Sequence, residues 1–589
     1  MAHPLLDSAQ DHTRGIELFG FLTQNGGTDA DPLADHEAAE QFARSLPLDD
    51  PLKTLRALSK ALSTLTNRPA RDVEQLGVLL TLDLRTERLC EELLHNSVER
   101  GLRSWPPENT VWQALLELAG AFGRAYAHFL RQARERSTSR AWLESAPRLL
   151  IQFFRHWQVE NLLSVFRYEQ LAPARWRELH EAYLFGQSLR LSKTSSTGLH
   201  RRKRAADGTL EREYLQILLL QLMNNGEFTP REVFWARQRL ASWSTEVSLK
   251  PGDEGEGQPS TDERFVVDLA GTEGLKRPPI EPAKTLLYLD LKSILVEIDE
   301  EIRTLRSPVG IEGDVKPDVQ PVLRSLLPKL KTLFSPKPVR MEWRGERESI
   351  DLLTAHVAAG LAPIVRSLHE EWQQAQATAN SSVPLVEEIT ISDVGGTWRA
   401  IAGPAKSEAR AITLPATAGN GPTEQAWRIM DCSKSGTLLR GRVDDPYRVL
   451  PGSLVAFRET NGGQWTIGVV RRLKRIMRSN VEIGVEHIGH NPQGVTIAAD
   501  AEREFSTGEM RQRFSALFLR GSAQHPTVPI KTLLLPAREF KPGRCLILLS
   551  TTMNYALRLK EPLEPPTDFV WTTLEIVAKQ PQESRVAAS

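Results

Sequence analysis

The sequence predicts a multi-domain protein with an all-α N-terminal domain, an all-β barrel after it and a further β-rich unit at the C-terminus. Apolar residues recur at helical spacing from about residue 35 to 245. After residue 385, short apolar runs alternate with Gly, Pro, Asn and Asp, which is typical of strands joined by turns. The length of 589 residues agrees with this division, because it exceeds the usual size of one domain several times over.

Three helices of the N-terminal domain can be placed individually. The first presents one apolar stripe, formed by Leu115, Leu118, Phe122, Tyr126 and Phe129. The second begins with a predicted capping box, formed by Thr229 and Glu232, and with Pro230 at the first helical position. The third is predicted over 281–305, and one seam of it carries Leu291, Leu295, Ile298, Ile302 and Leu305. That spacing suits packing inside the bundle, and it also suits packing against a second chain.

Polar stretches mark the boundaries between these units. The stretches 193–208 and 250–264 predict exposed loops, and the second could divide the helical domain into two subdomains. The stretch 373–382 has no apolar periodicity and predicts the main boundary. We therefore expect a poorly structured N-terminus at 1–34, a helical domain at 35–372, a linker at 373–404, a barrel at 405–495 and a β-rich unit at 500–580.

Composition excludes several classes of function. The 74 basic and 74 acidic residues balance, which argues against a protein that coats nucleic acid or an anionic membrane. Cys90, Cys432 and Cys545 are far apart, so they fit neither a disulfide framework nor a zinc cluster and suit a reducing cytosol. No signal peptide is evident, and the most apolar run, 215–223, is too short to span a membrane. We expect a cytoplasmic protein with no transmembrane segment.

The most informative string is Asp431-x-Ser433-x-x-Gly436, which follows a predicted strand. An Asp and a Ser two residues apart can each direct an oxygen to a backbone N–H group or to a ligand. Glycine permits a backbone angle or a close approach that a side chain would prevent. The string therefore predicts a turn that can bind.

Around this string, residues 405–490 resemble the PilZ family, bacterial six-stranded β-barrels many of which bind cyclic di-GMP. The family pattern begins with an R-x-x-x-R pair, to which KSEAR at 406–410 corresponds. Two predicted strands follow, at 411–418 and 424–431, and then the D-x-S-x-x-G string. Gly484, Val485 and Glu486 match the closing strand of the family.

The resemblance implies cyclic di-GMP as the ligand, no cofactor, and a binding set of Lys406, Arg410, Asp431, Ser433 and Gly436. In ligand-binding relatives two arginines grip the guanine edges and the phosphates, but here Lys406 stands at the first of those positions. Lysine lacks the planar fork of a guanidinium, so we expect weaker binding or none unless nearby arginines compensate. Candidates for this compensation are Arg399, Arg440 and Arg442.

A basic run at 471–478 follows another predicted strand. Cations at nearly consecutive positions would lie on both faces of a strand, so we expect this run at a strand end and turn. There Arg471 and Arg472 could form the rim of an anion site. A second basic run, 200–204, is predicted to be a solvated loop.

No catalytic or metal-binding set is evident in the sequence. His487 and His490 lack further ligands at zinc spacing, and 268–274 lacks the lysine and hydroxyl of a phosphate-binding loop. We therefore expect a non-enzymatic signalling effector that binds cyclic di-GMP and relays it to a helical domain, which contacts a partner protein. The alternative is a nucleotide-free PilZ-like scaffold for protein–protein interaction. Nucleic-acid binding through the two basic runs is a third reading, which predicts a steep loss of binding with salt.

Overall fold

The computed structural model describes most of the chain in separate stretches. These are residues 33–67, 73–101, 110–136, 139–193, 208–251, 264–277, 285–306, 319–337, 348–349, 353–378, 424–443, 449–476, 480–499, 513–519, 531–549, 553–564 and 567–581. Within these stretches no helix is both long enough and apolar enough to cross a membrane. The same stretches contain no group of three or more His, Cys, Asp or Glu side chains that could hold a metal ion.

The N-terminal domain is built mainly from helices, as predicted. Its first eight are α1 His36–Ser45, α2 Pro51–Thr66, α3 Val73–Gly101, α4 Thr110–Glu135, α5 Arg140–Phe166, α6 Pro173–Ser188, α7 Leu210–Leu222 and α8 Pro230–Trp243. The predicted stripe of α4 is buried from Leu115 to Phe129. The capping box of α8 is also confirmed, since Glu232 N donates to Thr229 Oγ1 and Thr229 N donates to Glu232 Oε2.

A small antiparallel sheet lies within this domain, where the sequence predicts only helix and loop. Its strands are β1 Leu249–Pro251, β2 Phe265–Asp268 and β3 Leu286–Leu289, in the order β1-β3-β2. The predicted helix 281–305 is therefore wrong over its first part, and α9 spans Lys292–Arg306. Helix α10, Gln320–Phe334, packs on α9 and α8, so the apolar seam of α9 faces the inside of the domain.

The next unit, which we call barrel 1, is a closed ring of antiparallel strands. They are β4 Glu348–Ser349, β5 Thr354–Ala359, β6 Gln425–Ser433, β7 Gly436–Arg442, β8 Leu454–Glu459, β9 Thr466–Arg475 and β10 Asn480–His490. The order around the ring is β6-β5-β8-β9-β10-β7, and β7 pairs with β6 again to close it. Strand β4 pairs with the C-terminal half of β6, and β5 pairs with the N-terminal half.

The beginning of barrel 1 differs from the predicted boundaries. Strand β5 lies inside the predicted helical domain 35–372, yet it pairs with β6 and β8 of the barrel. The barrel therefore takes two strands, β4 and β5, from before the predicted linker 373–404. The strand that the sequence predicts as the first of this barrel, 411–418, lies outside the described residues.

The last unit, barrel 2, is a second closed ring of six strands. They are β11 Gln493–Ala499, β12 Arg513–Leu519, β13 Thr532–Pro536, β14 Cys545–Leu549, β15 Met553–Pro562 and β16 Phe569–Pro581. The ring runs β11-β12-β13-β16-β15-β14, and β14 pairs with β11. Because β11 belongs to this ring, barrel 2 begins before the predicted residue 500, inside the range given to the first barrel.

The two barrels share an apolar layer that includes the helix α11, Leu361–Thr378. Ile364 of α11, Ile467 of β9 and Leu517 of β12 are all fully buried in it. Trp465 Nε1 donates to Glu371 Oε2 over 2.6 Å, which fixes α11 against barrel 1. Helix α11 continues to Thr378, so it overlaps the start of the predicted linker 373–404. It is part of the contact between the barrels.

The helical domain meets barrel 1 at the free edge of β9. Leu473 N donates to the carbonyl of Gly226 over 2.9 Å, and Arg475 N donates to the carbonyl of Tyr168 over 3.2 Å. The Tyr168 side chain is buried in the core of barrel 1, and its hydroxyl donates to the carbonyl of Phe228. The contact therefore uses the backbone as well as side chains, which fixes the register between the two units.

Candidate functional site

An irregularity in β6 places Asp431 on the outer face of barrel 1. Ile429 lies opposite Leu439 and Asp431 lies opposite Leu438, so Met430 is the extra residue of a β-bulge. Side chains alternate between the two faces of a strand, and without the bulge Asp431 would follow Ile429 into the core. The bulge instead turns Asp431 outward, next to Leu438 rather than the buried Leu439.

The remainder of the D-x-S-x-x-G string forms the tight turn between β6 and β7. Ser433 Oγ donates to the carbonyl of Gly436 over 3.1 Å, across the mouth of the turn. His487 N donates to the carbonyl of Ser435 over 2.9 Å, which ties the turn to β10. At Gly436 a Cβ atom would lie 2.7 Å from the carbonyl oxygen of Val485, so no side chain fits without a backbone shift.

Beside Asp431, the outer face of barrel 1 has a shallow surface. The row of neighbouring positions runs from Asp431 on β6 to Leu438 on β7, Gly484 on β10 and Arg472 on β9. Gly484 contributes no side chain, so the row is shallow between Leu438 and Arg472. A flat ligand could lie across the strands at this level with polar groups at both ends.

Two of the predicted compensating arginines lie on this outer face, on β7. Arg440 Nε donates to Glu482 Oε1 of β10 over 2.8 Å, and a second nitrogen of the same guanidinium reaches the same oxygen. Arg442 is exposed two positions further along β7. Arg399 lies outside the described residues, as do Lys406 and Arg410.

Residues 471–475 of the predicted basic run are the last five residues of β9, so this part of the run reaches the strand end but lies in the strand and not in a turn. Arg478 lies outside the described residues. A bulge at Arg471 separates the pair Gly484–Arg472 from the pair Val485–Val470. The bulge allows Arg471 and Arg472, although adjacent in sequence, both to leave the core side of the strand. The sequence pattern alone could not reveal this, because a regular strand would point one of them inward.

Arg471 joins barrel 1 to barrel 2. Its Nε lies 2.5 Å from Glu486 Oε2 on β10, and its Nη1 lies 3.1 Å from Glu564 Oε2, just beyond β15. Burial alone would lower the pKa of this guanidinium, but hydrogen bonds and charges from Glu564 and Glu486 outweigh burial and raise that pKa. Arg471 is therefore held by two carboxylates and faces the contact between the barrels.

Arg472 joins barrel 1 to the helical domain. Its Nε donates to Glu227 Oε1 over 3.0 Å, and Glu227 precedes α8 next to the Gly226 contact. The two arginines predicted as an anion rim thus bond to carboxylates of other domains in this structure. Lys474, two positions on, is exposed and has no ion pair among the described residues.

Sequence reasoning missed one cation on the same face, Arg428 of β6. It lies directly opposite Arg440 and is exposed, and its side chain has no hydrogen bond or ion pair with any described residue. The alternation between buried Trp427 and buried Ile429 could have placed it outside the barrel. The pairing with Arg440 could not have been found in this way, because it depends on the register of β6 with β7.

His487 lies next to the turn between β6 and β7, and the pKa of its side chain tests how the turn is packed. Its Nε2 lies 2.9 Å from Thr437 Oγ1, and burial, assisted by the charge of His490, lowers the pKa of His487 from 6.5 to about 4. Only the unfolded chain takes up a proton between these values, so stability is full above pH 6.5 and falls as the pH drops to about 4. The loss should be about 3 kcal/mol.

We expect the variant His487→Gln to lose much less stability than the wild type between pH 7 and pH 4.5. Glutamine can bond to Thr437 but does not titrate in this range. Urea unfolding at the two pH values, followed by far-UV circular dichroism, measures the difference. Equal losses in the two proteins would show that His487 is not buried in its neutral form.

The other motifs of the sequence form no further site in the described part of the chain. Asp268 Oδ1 accepts from Ala270 N over 3.0 Å and from Thr285 Oγ1 over 2.6 Å, so 268–274 begins as an ordinary hydrogen-bonded turn. His490 Nδ1 lies 3.1 Å from Thr466 Oγ1. The basic run 200–204 and the N-terminal residues 1–32 lie outside the described residues.

Comparisons with known proteins give one match. No curated protein matches the chain, and no solved structure matches it. Residues 37–254 match the family model described as "Cyclic-di-GMP receptor FimW, N-terminal domain". The matched range runs from α1 through α8 to just past β1, so it covers most of the helical domain and none of the barrel strands.

Proposed function

We propose that the protein is a non-enzymatic bacterial signalling effector that binds cyclic di-GMP on the outer face of barrel 1 and acts in the cytoplasm. Two independent regions support this. The helical domain is similar to the N-terminal domain of a cyclic-di-GMP receptor. Barrel 1 has a six-stranded ring of the kind that the resemblance to the PilZ family implies, and it carries the D-x-S-x-x-G turn on which that resemblance rests.

The bulge at Met430 is the observation that carries the proposal. It turns Asp431 onto the face where Ser433 also lies, beside a turn whose Gly436 leaves no room for a side chain. A carboxylate accepts hydrogen bonds from the N1 and N2 groups of a guanine, and a serine hydroxyl can both donate and accept. We assign Asp431 and Ser433 to the base, and Gly436 to the shape of the turn.

We further propose that Lys406 and Arg410 bind the same ligand. Both residues belong to the segment between α11 and β6. One glutamate on each side of this segment forms an ion pair with the same residue, Arg458. Arg458 Nη1 lies 2.8 Å from Glu371 Oε1, and Nη2 lies 3.6 Å from Glu424 Oε2.

The length of the segment permits this contact. From Arg410 to Glu424 the chain can extend up to roughly 46 Å. Strand β6 measures only about 30 Å, so Arg410 can reach the turn at its far end.

The output would pass to the helical domain, through which the protein contacts a partner protein. The contact between the two units includes the Gly226 carbonyl on Leu473 N and the ion pair of Glu227 with Arg472. Arg472 stands in the same row of the outer face as Asp431. A ligand shifts the arrangement only if it binds one arrangement more tightly than another, so an anion that attracts Arg472 would favour its release from Glu227.

One observation favours the alternative, a nucleotide-free scaffold. Arg440, Arg471 and Arg472 each bond to a carboxylate of this protein. A ligand would have to compete with these carboxylates, whereas a scaffold would keep all three pairs, of which those of Arg471 and Arg472 join barrel 1 to other units.

Isothermal titration of the intact protein with cyclic di-GMP separates the two functions. We expect binding in the wild type and at least a tenfold loss in Asp431→Ala, because a charge-assisted hydrogen bond is worth about 1.5–3 kcal/mol. The matched control is Asp568→Ala, which removes a carboxylate from the loop before β16 in barrel 2. No heat at tens of micromolar with folded wild-type protein would remove the ligand and leave the scaffold.

A second variant tests the lysine. Lys406→Arg restores the planar fork, and we expect about tenfold tighter binding of cyclic di-GMP if Lys406 contacts the ligand. The matched control is Lys541→Arg, which makes the same change at an exposed position of barrel 2. Unchanged affinity in Lys406→Arg would take this residue out of the binding set.

A further inference from the structure

On barrel 1 two arginines lie opposite each other, and the described carboxylates neutralise only one of them. Arg428 on β6 and Arg440 on β7 are directly opposite in the antiparallel register, on the outer face. Side chains at such positions lie close together, and like charges there destabilise the pair of strands. Arg440 is neutralised by Glu482, but the guanidinium of Arg428 has no carboxylate partner among the described residues.

The same row of outward-facing side chains contains a further cation, on the other side of Arg440 from Arg428. Lys474 of β9 lies directly opposite Glu482 of β10, and it is exposed. The row therefore holds three cations around the single carboxylate of Glu482. On the far side of Arg428 stands Thr354 of β5, a neutral residue whose hydroxyl lies 2.6 Å from that of Thr460.

An arrangement of this kind favours an external anion. A guanidinium offers parallel N–H groups that match two oxygens of a phosphate, and its weak hydration lowers the cost of releasing water. Arg428 is exposed, and no described residue bonds to its fork, whereas Arg440 can turn part of its fork to a ligand while it keeps Glu482. A phosphate between them would relieve the repulsion of the two arginines.

The position of this pair relative to Asp431 selects the class of ligand. The bulge at Met430 leaves Arg428 and Asp431 on the same face, about 7–10 Å apart along β6. A phosphate alone would use only the arginines. A nucleotide can place its phosphate on the arginines and a base on Asp431.

We propose that Arg428 and Arg440 form a phosphate-binding site on the outer face of barrel 1, and that this site takes one phosphate of a cyclic dinucleotide. The identity of the ligand rests on the proposed function, whereas the phosphate site rests on the register of β6 with β7. Arg428 thereby supplies a guanidinium in place of the one that is missing at position 406.

The experiment compares Arg428→Gln with the wild type by isothermal titration, using cyclic di-GMP and, separately, inorganic pyrophosphate at millimolar concentration. The matched control is Arg513→Gln, which removes an exposed arginine from β12 in barrel 2. We expect Arg428→Gln to weaken cyclic di-GMP binding at least tenfold and to reduce its salt dependence, and Arg513→Gln to change neither.

The outcomes separate the two proposals. Equal cyclic di-GMP affinity in Arg428→Gln and wild type would overturn the phosphate site and leave the proposed function intact. Binding of pyrophosphate that depends on Arg428, without binding of cyclic di-GMP, would support the site and remove the proposed function. Binding of neither compound to the wild type would overturn both.

Discussion

Replacing Gly226 by alanine should detach the helical domain from barrel 1. Gly226 has φ +83°, a conformation that costs an L-residue about 1–2 kcal/mol. Its position also leaves no room for a Cβ atom, which would collide with the backbone carbonyl of Leu473 on β9. Strain and collision act together, so we expect the contact to weaken by about 2–4 kcal/mol.

The matched control is Gly462→Ala. Gly462 has a similar φ of +95°, but no atom lies within 4 Å of the position its Cβ would occupy. Small-angle scattering and limited proteolysis measure whether the units separate. We expect a larger radius of gyration and new cleavage in Gly226→Ala, with Gly462→Ala unchanged. If both variants stay compact, the backbone contact at Leu473 does not hold the units together.

Replacing Trp427 by alanine should destabilise barrel 1 by about 3–5 kcal/mol, since the ring is buried in the core of the barrel. This ring requires a glycine at position 441 on β7, because a Cβ atom there would collide with three atoms of the ring. Gly441→Ala should therefore be strongly destabilising in the wild type. In a Trp427→Ala background the same change should be neutral or stabilising by about 0.5–1 kcal/mol.

Urea unfolding of the four proteins of this double-mutant cycle gives the coupling between the two positions. The cycle matters for the candidate site because Trp427 and Gly441 lie on the two strands that carry Asp431 and Arg440. A cost for Gly441→Ala that is the same in both backgrounds would show that the ring does not fill the space above the glycine.

Local signals predicted the helical domain well. The capping box of α8 is a case of short-range chemistry, since Thr229 and Glu232 are three residues apart and satisfy each other's backbone groups. The buried stripe of α4 follows from periodicity alone. Strand β3 was misread because its four apolar residues run directly into α9, and a short apolar run does not distinguish strand from helix.

The barrels show where sequence reasoning stops. Strand β5 joins barrel 1 across a gap of more than sixty residues before β6, and only its pairing partners identify it as a barrel strand. The outward direction of Asp431 depends on a bulge, which has no signature in Arg428–Asp431 beyond an interrupted alternation. Arg472 bonds to Glu227, 245 positions away in the chain, so its role as a tie between units could not be read from the basic run.

We place the ligand site on barrel 1, although the matched family model covers most of the helical domain. Hydrogen–deuterium exchange of the intact protein with and without cyclic di-GMP tests this claim most directly. We expect slower exchange in β6, β7 and β10, centred on the turn between Ser433 and Gly436. Slower exchange confined to residues 37–254, with β6, β7 and β10 unchanged, would contradict it.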